Sequence, residues 1–227
     1  MNKNSVKSAI ILSLGLVVSS IIFGLSFCYR RAGIVSTVSV KGLAEREVDA
    51  NIGIWPIRFK SLGGDLNQVN VEIKKQTAAL VSFLKEQGFG DKEIIYGCSR
   101  LYDHGEYSKD KSLRYSLEME IIIDSPNVFL LYETIQKSQE IIARGVFLLS
   151  GAYDLKFIFT DLNTIKSSMI QEATLNAKKA AQQLAIDSDV SLGMLRKASQ
   201  GFFSIENTHV PTKKKVRVVT QMEYAIQ

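Results

Sequence analysis

Cysteine is nearly absent from this chain: there are two in 227 residues, and only Cys98 lies beyond residue 31. No disulfide can therefore form within the bulk of the protein, and its stability has to come from packing. Histidine is as scarce. His104 and His209 are far apart in sequence and both fall in loop-like stretches. A metal centre needs clustered ligands, and two such histidines with one cysteine do not supply them. No glycine-rich phosphate loop opens a helix, since Gly88-Phe89-Gly90 closes one, and neither G-x-S-x-G nor H-E-x-x-H occurs. We assign no catalytic residue, no cofactor-binding residue and no metal ligand, and expect a protein that is not an enzyme.

Acidic residues are missing from the first 31 positions, which carry Lys3, Lys7, Arg30 and Arg31. This asymmetry explains most of the formal charge of +5 and the isoelectric point near 9.1. Of the 28 lysines and arginines, 24 remain after those four, and they face 23 acids. The domain is thus nearly neutral, which argues against nucleic acid as a partner.

Charge of either sign is absent from Ser8 to Tyr29, a run dominated by Ile, Leu, Val, Phe, Ser and Gly. As a helix rising ~1.5 Å per residue, it is long enough to cross a ~30 Å hydrocarbon layer. Three readings compete. A cleaved signal has a shorter apolar core and small residues before the cut, whereas Phe27, Cys28 and Tyr29 stand here. A lipoprotein would acylate Cys28, but Phe27 is bulky where a small residue is expected. An uncleaved anchor fits best, with residues 1–31 as anchor and residues 32–227 as the domain. Flanking charges barely discriminate orientation. The short tail before the apolar run favours an inside N-terminus and an extracytoplasmic domain on a bacterial inner membrane.

Periodicity then orders the elements. Ile34–Lys41 reads as a strand broken by Gly42, and Val48–Phe59 as a second, with Trp55, Ile57 and Phe59 on one face. Pro56 lacks an N–H and argues for an edge or a bulge there. Leu66, Val69, Ile73, Thr77, Leu80 and Leu84 form a helical stripe between an Asp65 cap and a Gly88 cap. Strands near Ile94–Tyr102 and Leu113–Ile123 form an antiparallel hairpin. The second packs Leu113, Tyr115, Leu117, Met119, Ile121 and Ile123 on one face and wets Arg114, Ser116, Glu118 and Glu120 on the other.

Ser125 as cap and Pro126 in the first turn start a helix with the stripe Val128, Leu131, Ile135, Ser138 and Ile142, ending at Gly145. A strand near Tyr153–Thr160 precedes the longest helix, about Leu162–Asp187. Its stripe is Ile165, Met169, Ala173, Ala177, Ala180 and Leu184, small enough for close packing. Strands near Met194–Ile205 and Lys214–Tyr224 finish the chain. The order implies an α+β fold with antiparallel sheets and about three helices, preceded by one transmembrane helix. The ββα unit recurs, which suggests two similar layers or subdomains with a boundary near Gly145.

Residues that could carry chemistry are few, and each has a plain structural reading. Asp103-His104-Gly105-Glu106 could bind a cation weakly, but reads as a solvated hairpin tip. Glu45 and Glu47 would share a strand face as an acid/base pair, yet Arg46 and the turn context suggest a solvated loop. Lys213-Lys214-Lys215 with Arg217 reads as a charged strand end, with an anionic surface as the alternative. Asp161 and Asn163 look like helix caps. Cys98 reads as a partly buried, inert thiol. Tyr153, Phe157, Phe159, Phe202 and Phe203 read as core, or as an assembly surface if exposed together.

Val38-Ser39-Val40-Lys41-Gly42 with Ala44-Glu45 resembles the opening strand and turn of the SIMPL-domain proteins. Met169, Glu172-Ala173, Ala177, Ala180-Ala181 and Ala185, then Leu192-Gly193, Ala198-Ser199-Gln200-Gly201 and Lys214-Lys215-Val216-Arg217-Val218, extend the likeness in order to about Tyr224. The resemblance implies an exported α+β domain. Some members assemble into ring- or channel-like oligomers, and others are associated with defence against oxidative stress. It implies no catalytic residues. The expectation is a membrane-anchored, self-associating, non-enzymatic protein, a homo-oligomer in terms of the family, that supports envelope integrity or oxidative-stress tolerance. A small-molecule or peptide-binding module is the alternative, to be recognised by a deep pocket with convergent polar groups.

Overall fold

A computed structural model describes residues 15–24, 36–105, 111–149 and 154–226. Residues 15–24 are helical (α1). The other parts of the apolar run Ser8–Tyr29, with Cys28 and the flanking charges, lie outside the described residues. Among the described residues no helix is long and apolar enough to cross a membrane.

The chain continues β1 (Thr37–Asp49), β2 (Ile52–Gly63), α2 (Leu66–Gln87), β3 (Ile94–Asp103), a 3-10 turn (Lys111–Leu113) and β4 (Tyr115–Ser125). Then come α3 (Val128–Gln136), α4 (Ser138–Ala143), β5 (Lys156–Ile158), α5 (Leu162–Asp187), β6 (Leu192–Gln200), β7 (Ser204–Asn207) and β8 (Lys213–Ile226). The fold is α+β with two antiparallel sheets; among the described residues five helices occur, α1 and four in the domain where about three were expected. The described residues divide into two compact units: those up to 44, 170–201 and 219–226 in the smaller, and those within 45–169 and 202–218 in the larger. Gly145 lies inside the larger unit, so no boundary falls there.

In the larger unit the sheet order is β3-β4-β2-β5. Alternation on β2 places Trp55, Ile57 and Phe59 on the buried face, where they meet Ile73, Leu80, Phe83 and Leu84 of α2 and Leu131 and Ile135 of α3. Pro56 lies just past the short pairing of β2 with β5 (Ile52–Ile54 opposite Lys156–Ile158), where its missing N–H costs no ladder bond on that side. Asp65 caps α2 by accepting from the backbone N–H groups of Asn67 and Gln68, and Gly88 ends it in the left-handed conformation, φ 107°.

The next helix departs from its expected form. Its cap is Asn127, whose side chain accepts from the Leu130 N–H, while Ser125 ends β4 and donates its hydroxyl to Glu93. It stops at Lys137 and restarts as α4, where Thr134 bonds back to the Leu130 carbonyl. The break shifts the helical phase by one residue, so Ile141 is buried and Ile142 exposed. Lys137 donates to Gln87, and Arg144 forms two bonds to Glu86, tying this corner to the end of α2. The expected strand over Tyr153–Thr160 shrinks to β5, and Tyr153 lies outside the described residues.

In the smaller unit the C-terminal half of β8 pairs with β6, and β8 stands between β1 and β6 in the sheet. Val40, Met222 and Tyr224 pack with Ala177 and Ala181 of α5. The buried stripe steps strictly by four through Met169, Ala173, Ala177, Ala181 and Ala185, leaving Ala180 and Leu184 exposed. Gly42 does not break β1. A Cβ placed there would fall on the Ala173 carbonyl oxygen and the Ala177 amide nitrogen, so the strand runs on because glycine admits the helix backbone. The expected strand Met194–Ile205 divides into β6 and β7 around Gly201.

Gly42→Ala is expected to lower stability by about 1–3 kcal/mol or more, because strand and helix must separate. Gly90→Ala, whose Cβ would make an ordinary contact with Glu93, should be nearly neutral. Denaturant midpoints of the two variants check the contrast.

Candidate functional site

Two concavities in the larger unit are big enough to hold a ligand or a segment of another chain. The first, about 660 Å³, runs along one flank of α2 where the helix stops short of covering β3. Ile73, Val81, Leu117, Met119 and Tyr96 give it apolar walls, and Asn70, Lys74, Ser82 and Lys85 edge it. Thr77 bridges helix and sheet, donating to the Ile73 carbonyl with Met119 sulfur 3.3 Å away. Lys85 is held by Asp91 at 2.7 Å, which raises its pKa.

β3 beside this groove is the outer strand of its sheet. Ile95, Tyr96, Leu101 and Tyr102 are exposed along it. Register shifts between Tyr96 and Ser99, and this bulge leaves Cys98 exposed rather than half-buried as its alternation suggests. On the sheet face that carries Arg58, cross-strand register sets Arg58 opposite Glu120 and Arg100 opposite Glu118, so the face of β4 expected to be wet is half-covered and ionic, with Ser116 buried. Leu113, expected to pack, is exposed in the 3-10 turn before the strand.

The second concavity, about 620 Å³, lies between α3, β5 and the β7–β8 pair. Tyr132, Ile135, Leu155, Phe157, Ile158 and Pro211 form its apolar part. Lys214 also lines it, only 7% exposed, and donates to the Asn207 side chain. Burial pushes its pKa down. The basic run is therefore not a uniformly solvated strand end. Lys214 turns inward, while Lys215 and Arg217 on the other face meet Glu45 at 3.2 and 3.5 Å.

The remaining sequence candidates do not converge. Glu45 and Glu47 lie on β1, a strand and not a loop; Glu45 serves the ion pairs just described. Asp103 accepts from Arg114 through both oxygens and from the Gly105 N–H, and His104 stacks on Tyr102. Glu106 lies outside the described residues. The Asp161 carbonyl accepts from the Thr164 N–H and hydroxyl at the start of α5, and Asn163 lies in that helix's first turn. Phe157 is core, Phe159 and Phe203 are half-buried, and Phe202 is 99% exposed in the link from β6 to β7. Among the described residues no three His, Cys, Asp or Glu side chains gather as a metal would need. Sequence reasoning missed the burial of Lys214 and Gln76, whose side-chain oxygen accepts from the Phe147 N–H.

Residues 38–225 match the model of a family called SIMPL, described as a protein of unknown function (DUF541). No curated protein matches the chain.

The Arg114 guanidinium holds the Asp103 carboxyl down at about 2, with help from the Gly105 N–H. A carboxyl depressed on folding favours the native hairpin above the ordinary carboxylate range, and that contribution fades as pH falls toward 2. In Arg114→Gln the Asp103 carboxyl should titrate closer to its ordinary value of 3.8. A side-chain NMR titration reads the difference.

Proposed function

The chain belongs to the SIMPL family, and from that premise we propose that it is a membrane-anchored, extracytoplasmic protein that self-associates without catalysing a reaction. Its partners are the lipid bilayer and further copies of itself, not nucleic acid, and its role is to support envelope integrity or tolerance of oxidative stress. The site of action is the inner membrane of a bacterium, with the domain on the periplasmic side. The apolar run Ser8–Tyr29 supports the anchor, and the near balance of charge beyond it supports a protein rather than a polyanion as partner.

The observation that carries the assembly is the outer edge of β3. Its backbone donors and acceptors have no ladder partner on that side among the described residues; of its exposed apolar side chains Tyr96 lines the α2 groove, and Leu101 lies opposite Leu117 on the same sheet face. An unpaired edge is a template for another strand. Anchoring raises the local concentration of identical edges in the membrane plane, so modest contacts suffice for association.

Detergent-solubilised full-length protein should sediment as a species larger than one chain across a concentration series. Leu101→Asp should weaken that association roughly tenfold or more, the effect of charging one buried apolar contact. A single-chain particle at every concentration would reject the assembly. Topology has its own test in a Cys28→Ser background, because Cys98 is exposed and serves as a native label. A membrane-impermeant maleimide should react with Cys98 in spheroplasts; reaction only after lysis would place the domain in the cytoplasm.

A further inference from the structure

Lys214 occupies a position in which a lysine is costly. An ammonium withdrawn from water must recover its hydration through partners, and a methionine of the same length would fill the space without that cost. Here the residue is 7% exposed, and its recorded partner is a neutral amide, the Asn207 oxygen. Its neighbours Lys215 and Arg217 take the carboxylate of Glu45 on the opposite face of β8.

Register explains why the two polar groups point the same way. Asn207 on β7 stands directly opposite Lys214 on β8, and directly paired residues project from one face of a sheet. That face borders the 620 Å³ pocket, which both residues line. The Asn207 oxygen turns to the lysine, so its amide N–H groups remain as donors, and the ammonium has further N–H groups beyond the one it gives to Asn207. The nearby Thr208 hydroxyl is occupied by the Val210 and Lys213 carbonyls and the Val210 N–H. No acidic side chain is among the residues that line the pocket.

The walls differ in character. Tyr132 and Phe157 are paired rings, 6.3 Å between centroids, and Leu155, Ile158 and Pro211 extend the apolar surface. We propose that this pocket binds a small monocarboxylic acid with an aromatic or branched apolar body. Its carboxylate would lie on Lys214 Nζ and the Asn207 amide, and its body against Tyr132 and Phe157. One buried ammonium and one amide match the acceptor capacity of a carboxylate, and the exposed Lys156 and Gln136, which also line the pocket, leave it with no charge opposed to an anion. Phosphate sites draw on an arginine fork, a helix N-terminus, a nest of backbone N–H groups or a lysine as a point charge; of the side chains among these the pocket offers only lysine, so inorganic phosphate is the competing ligand in the test. Burial depresses the pKa of Lys214, which agrees with an ammonium whose side-chain partner among the described residues is a neutral amide. This inference does not depend on self-association, because the groups involved come from one chain.

The test uses the full chain in nanodiscs, with 3-phenylpropionate, its neutral amide and inorganic phosphate as probes, read by titration calorimetry and ligand-observed NMR. Saturable binding of 3-phenylpropionate near one per chain is expected, with the amide and phosphate at least tenfold weaker. Lys214→Met should remove the preference for the acid over the amide, while the thermal midpoint holds or rises as the buried charge is relieved. Should that variant fail to fold, Tyr132→Ala, at a half-exposed position on α3, must weaken 3-phenylpropionate binding several-fold. The proposal is overturned if the acid does not saturate, if amide or phosphate binds as well, or if a folded Lys214→Met binds the acid unchanged. That last result would mean that Lys214 only fastens the β7–β8 pair through Asn207.

Discussion

Everything in the larger unit is arranged around the apolar row of β2. Trp55, Ile57 and Phe59 are almost wholly buried, and each such side chain contributes about 1.5–3 kcal/mol by leaving water. Burial of this row fixes which face of the sheet α2 and α3 can cover. A one-residue slip of β2 against β4 would turn all three side chains outward, so the register opposite Ile121 and Ile123 is held by the same burial. The two concavities follow from this placement. α2 lies over the centre of the sheet and leaves β3 partly bare beside it, and β5 is too short to close the space between α3 and the β7–β8 pair.

The smaller unit solves a different problem with less material. Its core has few large side chains, and it depends on how closely α5 approaches β1. Alanines at every fourth position and Gly42 allow backbone to meet backbone, which gains dispersion contacts where apolar bulk is lacking. Much of the family signature in this chain lies at this contact: Val38 and Val40 beside Gly42, and Ala173, Ala177, Ala181 and Ala185 on the helix. Read physically, that part of the resemblance describes a packing geometry.

Elements whose limits depend on local chemistry were legible in the sequence. α2 runs between Asp65 and Gly88 as expected, and α5 covers Leu162–Asp187. The order of strands and helices and the β3–β4 hairpin also follow from periodicity. What escaped was set by contacts distant in sequence. Gly42 reads as a breaker until α5 is laid across it. Ser125 reads as a cap until Glu93 claims its hydroxyl and Asn127 takes the role. Ile142 belongs to the stripe only while the helix is unbroken, and the restart after Lys137 gives the inward position to Ile141. Cys98 follows the alternation of its strand until the bulge turns it outward.

The basic run shows the same limit at the level of function. Composition treats Lys213, Lys214, Lys215 and Arg217 as one charged patch, and as a patch they suggest an edge kept soluble. A strand sends alternate residues to opposite faces, so the run divides. Lys215 and Arg217 converge on Glu45, a half-exposed pairing of the kind that contributes little net stability. Lys214 joins Val216 and Val218 on the buried face, where its side-chain partner among the described residues is the neutral Asn207 amide. Only the pairing of β7 with β8 decides which of three adjacent lysines turns inward, and that pairing is a property of the folded sheet. A charge that packing alone would replace with a hydrocarbon is the strongest chemical asymmetry in this unit, and it stands beside the aromatic pocket.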